Sequence, residues 1–195
     1  MVGEQHFDRV VRDGMLKAGI SLDIATADFK AMLVPVEGRR RARSIVEMLC
    51  RLADGGVEIR LLHGGVPSGA ALQELRRKLP AGIAIRRCPR LHAKAVIVDC
   101  GSMYVGSANL TGAGLGAKAV GKRNFELGVW TRSPALIDAV LDEFNALWEG
   151  RHCPSCRRRD VCPVPLEEPA LHGGGAANRN AGTAARLPSP RPRGL

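Results

Sequence analysis

Two short segments, LHAKAVIVD and GSANLTGAG, hold residue types that act on phosphate esters. The apolar run Ala95–Val98 predicts a buried strand that begins directly after Lys94. Because side chains alternate along a strand, we expect His92 and Lys94 to share one face, about 6–7 Å apart. An imidazole beside an ammonium group suits an anionic, electrophilic phosphorus, since the imidazole can act as a nucleophile. The pair therefore predicts chemistry on a phosphate ester.

A second predicted strand, Met103–Val105, ends in the polar turn Gly-Ser-Ala-Asn. In this turn the hydroxyl of Ser107 and the amide of Asn109 can both hydrogen-bond phosphate oxygens. Asp99 ends the first strand with the opposite parity to the histidine and the lysine, so we expect it not to touch a substrate directly.

These residues follow one spacing: histidine, any residue, lysine, four residues, aspartate, six residues, and then Gly-Ser-any-Asn. The spacing resembles the signature of the phospholipase D superfamily, whose fixed positions are filled here by His92, Lys94, Asp99, Gly106, Ser107 and Asn109. Glu126 matches the family's downstream acidic residue. The resemblance implies that these residues, apart from the glycine, are catalytic. The single copy of the motif is similar to the nuclease-like branch, which includes small bacterial endonucleases.

The resemblance also implies a two-step mechanism. His92 would attack phosphorus and form a phosphohistidine, while a second histidine acts as general acid and then as general base. Lys94 and Asn109, assisted by Ser107, would neutralise and orient the non-bridging oxygens. Glu126 would accept the other ring N–H of the imidazole and fix its tautomer. None of these steps needs a metal or another cofactor.

The mechanism uses two histidines, whereas the chain carries one motif. Single-motif relatives pair two subunits about a two-fold axis, so we expect an obligate homodimer with two copies of His92 facing each other across one composite site. Pairing with a second motif-bearing protein is the alternative.

The chain has 195 residues and a net charge of +10. A basic balance favours a polyanion, because each neutralised phosphate releases counterions, although an arginine-rich composition also follows from a GC-rich genome. We therefore expect an endonuclease that cleaves nucleic acid, with DNA favoured over RNA. The alternatives are a phospholipase or phosphatidyl transferase, and a nucleic-acid-binding module of a DNA-repair or phage-defence system.

No apolar run approaches the roughly 18–20 residues of a membrane-spanning helix. The first residues, MVGEQHFDRV, lack the apolar core of a secretory signal. We therefore expect a cytoplasmic protein with no membrane partner. Its six cysteines would then be free thiols or metal ligands.

The pattern of elements predicts one α/β domain over residues 1–150, in the order helix, strand, helix, strand, helix, two strands and a closing helix at Pro134–Trp148. Residues Ile83–Arg87 are expected to begin the run that becomes the motif strand. This order is typical of a mixed sheet flanked by helices, the phospholipase D-like fold that the resemblance implies. His63, after the second strand, is expected to be an ordinary surface histidine.

Two further segments are basic. The glycine-rich loop before Glu126 carries Lys118, Lys122 and Arg123, which would meet a nucleic-acid backbone or simply be solvated. Residues 167–195 are rich in Gly, Ala, Pro and Arg and have little to bury, which predicts a disordered basic tail.

Between the domain and the tail, residues 151–166 form a cysteine-rich segment with the spacing Cys-x2-Cys-x5-Cys, from Cys153 through Cys156 to Cys162. Three thiols so close together in a reducing compartment favour metal binding over burial as small hydrophobic side chains.

The cysteine spacing and the Asp-Val-Cys-Pro ending resemble the cluster segment of RecB-type nucleases, which implies a [4Fe–4S] cluster whose fourth cysteine lies upstream. Cys88 is the expected fourth ligand, ahead of Cys50 and Cys100. A zinc ion, completed by His152 or by a distant cysteine, is the alternative.

Overall fold

A computed structural model of the chain describes residues 1–35, 41–77, 81–158 and 161–162. The predicted tail, residues 167–195, lies outside the described residues. A π-helical turn (Phe7–Arg12) and a 3-10 turn (Met15–Lys17) precede the regular elements, and a second 3-10 turn covers Val120–Lys122. The regular elements are β1 (Ser21–Thr26), β2 (Leu33–Val34), β3 (Arg43–Ser44), α1 (Ile45–Asp54), β4 (Glu58–His63), α2 (Gly69–Arg77), β5 (Ile83–Arg87), β6 (Ala95–Val98), β7 (Ser102–Gly106), β8 (Gly128–Thr131) and α3 (Pro134–Trp148).

Six of the strands form one mixed sheet in the order β5-β4-β1-β6-β7-β8. The strands β1, β4 and β5 run parallel, and β6, β7 and β8 alternate in direction beyond β1. The separate strands β2 and β3 pair with each other. The mixed sheet with its helices confirms the predicted α/β class.

Two parts of the predicted strand order are wrong. β5 does not run on into the motif strand, because Pro89 lacks the N–H that a ladder needs and the chain turns there, with Leu91 N donating to Cys88 O at 2.8 Å. β5 instead forms one edge of the sheet, three places from the motif strand β6. β8, which forms the other edge, was not predicted. It has four residues, too few to show a clear alternation of apolar and polar side chains.

The sheet is covered on both faces. Leu22 and Val96 point into the larger core, which α1 and the N-terminal turns close. Ala25 and Ala95 point to the opposite face and pack with Phe144 of α3. All four residues of β6 are buried, which explains why its sequence is uniformly apolar rather than alternating. The site residues at the ends of β6 are therefore attached to the most enclosed strand of the sheet.

The helix α1 begins with a side-chain cap. Ser44 is the N-cap, and its Oγ accepts a hydrogen bond from Val46 N at 3.1 Å. None of the helices in the described ranges is long and apolar enough to cross a bilayer.

His63 is the last residue of β4 and is fully buried, so the expected surface position is wrong. The chain around Leu91 packs closely against the residue that follows His63, because that residue is Gly64. A Cβ at Gly64 would lie 2.5 Å from the Leu91 carbonyl oxygen. His63 Nδ1 lies 2.6 Å from Gly65 O, while Nε2 has no hydrogen-bond partner among the described residues. Burial lowers the pKa of His63; the Gly65 hydrogen bond opposes this shift, and the charge of Arg87 adds to it.

Candidate active site

The pairing of the strands brings several loops to one end of the sheet. Ala95 at the start of β6 pairs with Ala25 near the end of β1 and with Val105 near the end of β7. Gly106, the last residue of β7, pairs with Gly128, the first of β8. The residues that precede β6, follow β7 and precede β8 therefore meet at this end, which we call the motif end.

His92 and Lys94 form the centre of the motif end. The imidazole of His92 is exposed, whereas Lys94 is 8% exposed. Lys94 Nζ donates to the carbonyl oxygen of His92 at 2.7 Å and lies 3.1 Å from His92 Nδ1 and 3.2 Å from Nε2. The expected spacing along a strand does not describe this contact, because β6 begins only at Ala95 and the lysine side chain folds back onto the ring.

Glu126 and Ser107 form a second pair at the motif end. Glu126 is 8% exposed, and its carboxylate accepts hydrogen bonds from Ser107 Oγ and, at 3.1 Å, from Asn124 Nδ2. Ser107 Oγ in turn accepts from Leu127 N at 3.0 Å. Burial lowers the pKa of Lys94, and the negative charge of Glu126 partly opposes that shift. The carboxylate therefore acts on the lysine as well as on the serine.

Asn109 is anchored through one end of its amide. Its Oδ1 accepts hydrogen bonds from Asp28 N at 3.0 Å and from Thr26 Oγ1 at 3.4 Å, at the end of β1. Leu110 N donates to the same threonine hydroxyl at 2.9 Å. Because the amide oxygen is engaged with the backbone, the amide N–H groups are what Asn109 can offer to a phosphate.

Tyr104 is a residue of the site that sequence reasoning missed. Its buried ring fills the space beside two glycines: a Cβ on Gly128 would lie 2.2 Å from Tyr104 Cε2, and one on Gly106 would lie 2.5 Å from its hydroxyl oxygen. Ala108 N donates to that hydroxyl at 3.0 Å, which holds the turn that carries Ser107. Burial raises the pKa of Tyr104. The glycine of the motif is thus explained by packing, and the aromatic residue two positions before it was the available signal.

Asp99 does not join the other motif residues. It lies at the opposite end of β6, about 16 Å along the chain direction from Lys94 at the usual rise per residue. Its carboxylate accepts from Gly19 N at 3.1 Å, Ile20 N at 2.8 Å and Ser21 N at 2.9 Å. Burial would raise the pKa of Asp99, but these backbone hydrogen bonds outweigh burial and lower it. The structure thus gives Asp99 a place in the scaffold, away from any group bound at the motif end.

Two cavities adjoin the exposed imidazole. The larger, of about 580 Å³, lies between the sheet and α3 and is lined by His92, Lys94 and Ser107 together with apolar side chains such as Val140 and Phe144. The smaller, of about 330 Å³, lies beside the chain after α3. Both cavities share a wall formed by Leu91, His92, Ala93, Glu143 and Leu147.

Three of the four predicted metal ligands line the smaller cavity. Cys88, Cys153 and Cys156 line it, as does His152. Cys162 is half-buried and is not part of that lining. Within the described ranges, no three His, Cys, Asp or Glu side chains already form a group that could hold a metal ion.

The other two cysteines lie elsewhere. Cys50 is buried on α1 in the larger core. Cys100 is exposed in the hairpin after Asp99, at the opposite end of β6 from the cavity.

The basic residues of the glycine-rich loop are divided. Lys118 and Lys122 are exposed, as a contact with a polyanion requires. Arg123 is partly buried, pairs with Glu4 at 2.9 Å and donates to Lys118 O at 2.6 Å, so it holds the loop against the N-terminus.

The motif end thus holds an exposed imidazole on a buried lysine, a serine–glutamate pair and an anchored asparagine, which are the residues that the motif predicts for chemistry on a phosphate ester. The family described as "Cardiolipin synthase, PLD-like domain" matches residues 12–148. The chain belongs to this family and thereby to the phospholipase D superfamily, which confirms the resemblance seen in the motif.

Solved structures agree in fold. The chain is similar to a phospholipase D family member, Nuc from Salmonella typhimurium, with 21% identity and a TM-score of 0.51 over 76% of this chain and 93% of that one. It is also similar to NucT from Helicobacter pylori, with 15% identity and a TM-score of 0.56 over 75% of this chain and 89% of that one. A search of curated proteins found no match.

Proposed function

We propose that the protein is an endonuclease that cleaves nucleic-acid phosphodiester bonds through a phosphohistidine on His92, in a site completed by a second copy of the chain. The observation that carries the proposal is the exposed imidazole of His92 resting on the buried ammonium of Lys94. A nucleophile must be reachable by the substrate, whereas a cation that stabilises developing charge acts most strongly where water is excluded.

In the first step, one imidazole nitrogen of His92 forms a bond to phosphorus, and the bond to the leaving oxygen breaks. The leaving oxygen takes a proton from His92 of the second subunit. In the second step that same histidine removes a proton from water, the water oxygen attacks phosphorus, and the phosphorus–nitrogen bond breaks. Lys94 and the amide N–H groups of Asn109 hold the non-bridging oxygens in both steps.

Glu126 has a somewhat different role in this proposal from the one that the motif implies. Within the described residues, its carboxylate accepts from Ser107 and Asn124 rather than from His92 of its own chain. We therefore assign Glu126 to holding the serine hydroxyl and to keeping Lys94 charged, since its charge raises the pKa of that lysine.

An exposed apolar surface next to the site supports the proposal that a second subunit binds there. Phe125, Leu127 and Val129 have 107%, 68% and 56% of their surface exposed, and they alternate with residues that face inward. We call these three side chains the apolar edge. They lie on and before the edge strand β8 and flank the buried Glu126, and apolar side chains grouped on a surface commonly mark an interface.

Nucleic acid is the favoured substrate because of charge. The chain carries a net +10, and the exposed ammonium groups of Lys118 and Lys122 lie in the loop that leads to Glu126. Cations beside the site would hold a phosphate backbone on either side of the scissile bond.

A cleavage assay tests the proposal. Purified protein in EDTA is incubated separately with plasmid DNA, RNA and phosphatidylcholine vesicles, beside the variant His92→Ala. We expect the wild-type protein to cleave DNA without added metal and His92→Ala to be inactive, with acid-labile phosphate bound to the wild-type enzyme. Cleavage of DNA by His92→Ala at the wild-type rate would contradict the proposal.

The subunit arrangement has its own test. Phe125→Asp places a charge in the apolar edge, and Ile20→Asp is the matched control, because Ile20 is 72% exposed at the opposite end of the sheet. We expect Phe125→Asp to be monomeric by light scattering and inactive, and Ile20→Asp to remain a dimer. A dimeric Phe125→Asp protein that has lost activity would instead assign the apolar edge to substrate stacking.

One observation favours a second candidate, a phospholipase or phosphatidyl transferase. The cavity of about 580 Å³ beside His92 is lined largely by apolar side chains of the sheet and α3, and the matching family is described by a cardiolipin synthase. An acyl chain fits such surroundings better than a nucleotide does. Release of choline from the vesicles, with no cleavage of DNA or RNA, would select this candidate.

A further inference from the structure

The smaller cavity brings together two remote segments that both carry thiols. Cys88 follows β5, and Cys153 and Cys156 follow α3, yet all three line the same space of about 330 Å³ with His152. Of the six cysteines, these three line one cavity, whereas Cys50 is in the core, Cys100 is on the far hairpin and Cys162 lies outside the lining.

The backbone on both sides of the cavity is held in turns. Cys153 N donates to Gly150 O at 2.9 Å and Cys156 N to Cys153 O at 3.1 Å, so the two cysteines sit at opposite ends of one tight turn. Cys88 N donates to His63 O at 2.9 Å, which attaches Cys88 to the end of β4. The three cysteines are thus carried by backbone segments that hydrogen bonds restrain.

We propose that Cys88, Cys153 and Cys156 bind a thiophilic metal centre in this cavity, with the fourth ligand supplied by His152 or Cys162. Thiolate sulfur is the ligand shared by structural zinc sites and iron–sulfur clusters, and either needs a fourth donor. The side chains are not already grouped as ligands. The binding step therefore includes movement of the Cys153–Cys156 turn toward Cys88, as is common where metal binding is coupled to folding.

His152, a candidate fourth ligand, already contacts the carboxylate of Glu143. Its Nε2 lies 3.3 Å from Glu143 Oε1, and Glu143 lines both cavities. A metal bound through Nε2 would release Glu143, whereas a metal bound through Nδ1 would leave this pair in place. The exposed Arg157 and Arg158 follow the turn and add positive charge beside it. A metal centre would accordingly fix a basic segment to the domain.

The position of the cavity gives the metal a consequence for the active site. Leu91, His92 and Ala93 line both cavities, and this stretch follows Cys88 directly. A metal bound to Cys88 and to the turn after α3 would tie the chain just before this stretch to a second segment that lines the same cavity. We therefore place the metal as a support of the histidine's position rather than as a participant in phosphate chemistry.

Metal analysis tests the proposal without reference to activity. The full chain is purified anaerobically from cells supplied with iron and zinc, and its zinc, iron and acid-labile sulfide are measured per chain. We expect stoichiometric metal: colourless protein with about one zinc ion indicates zinc, and brown protein with iron and sulfide indicates a cluster. Wild-type protein without stoichiometric metal would overturn the proposal.

Variants locate the site. We expect Cys88→Ser and Cys153→Ser to lose metal by about tenfold or more, and Cys100→Ser to retain it fully because Cys100 is exposed at the far end of β6. Circular dichroism of each variant checks that the domain remains folded, and an unfolded Cys88→Ser protein is replaced by Cys88→Ala for the same measurement. Equal metal content in the Cys88 variant and in Cys100→Ser would overturn the assignment.

Discussion

The two ends of β6 use polar groups in opposite ways. At the motif end, Lys94 and Glu126 are buried but lie beside an exposed imidazole and open cavities. At the far end, the carboxylate of Asp99 is engaged by three consecutive backbone N–H groups of residues 19–21. The first end leaves hydrogen-bonding capacity for a ligand, while the second uses it to join the turn before β1 to the hairpin after β6.

This difference shows that one sequence motif contains two kinds of constraint. The histidine, lysine, serine and asparagine meet because the strand ends meet. The aspartate is separated from the lysine by the length of a buried strand, and it binds the backbone N–H groups of residues 19–21 at the far end of β6. Four predictions, from the largest expected effect to the smallest, test this division.

The first prediction removes the nucleophile. We expect His92→Ala to lower kcat/KM for the substrate by at least about 10³-fold, because the substitution removes the proposed nucleophile. Thermal unfolding followed by circular dichroism should be unchanged, since the imidazole is exposed. A variant with the activity of the wild-type enzyme would remove His92 from the chemistry.

The second prediction concerns the far end. We expect Asp99→Ala to lower the free energy of unfolding by about 2 kcal/mol, because three backbone N–H groups lose a charged acceptor. Activity per folded molecule should be retained. Asp13→Ala is the control, since the contact of its carboxylate among the described residues is an exposed pair with Lys17. If Asp99→Ala keeps its stability and loses activity, the division between the two ends fails.

The third prediction uses the pKa of Lys94. Its ammonium is required for phosphate binding, and burial lowers its pKa, so activity should fall with rising pH before an ordinary lysine titrates. The charge of Glu126 raises that pKa in part, so Glu126→Gln should move this alkaline limb of kcat/KM to still lower pH. Asp99→Asn should leave the limb in place. A shift in the opposite direction would separate Glu126 from the lysine.

The fourth and smallest effect concerns His63. Its pKa is lowered from 6.5 in the folded state, so its contribution to stability is complete above pH 6.5 and is lost as the pH falls and the unfolded chain takes up the proton. Between pH 7 and pH 5, unfolding by urea should show a smaller loss of stability in His63→Gln than in the wild-type protein. The difference cannot exceed about 1.4 kcal/mol per pH unit. Equal losses would show that His63 takes up its proton as readily in the folded protein as in the unfolded chain.

The sequence predicted the parts of the site that depend on local spacing. His92, Lys94, Ser107 and Asn109 were found because their separation along the chain is fixed by strands of standard length.

The remaining features depend on contacts between remote segments. Tyr104 looked like an ordinary strand residue. Only the pairing of Gly106 with Gly128 shows that its ring packs against both glycines beside the site. The burial of His63 depends on the fold of the chain around Leu91. The folding of Lys94 back onto His92 follows from the start of β6 at Ala95, and strand boundaries are poorly encoded in a single sequence.

The four-residue length of β6 has a consequence for how this chain can change. Adding or deleting one residue between Lys94 and Asp99 would turn the side chains on one side of the change to the other face, so both ends could not keep their partners. Substitution within the strand is limited by volume and by the cost of burying a polar side chain, whereas a change in its length would separate the lysine from its histidine or the aspartate from its turn. Insertions in this region should therefore be confined to the hairpin that follows.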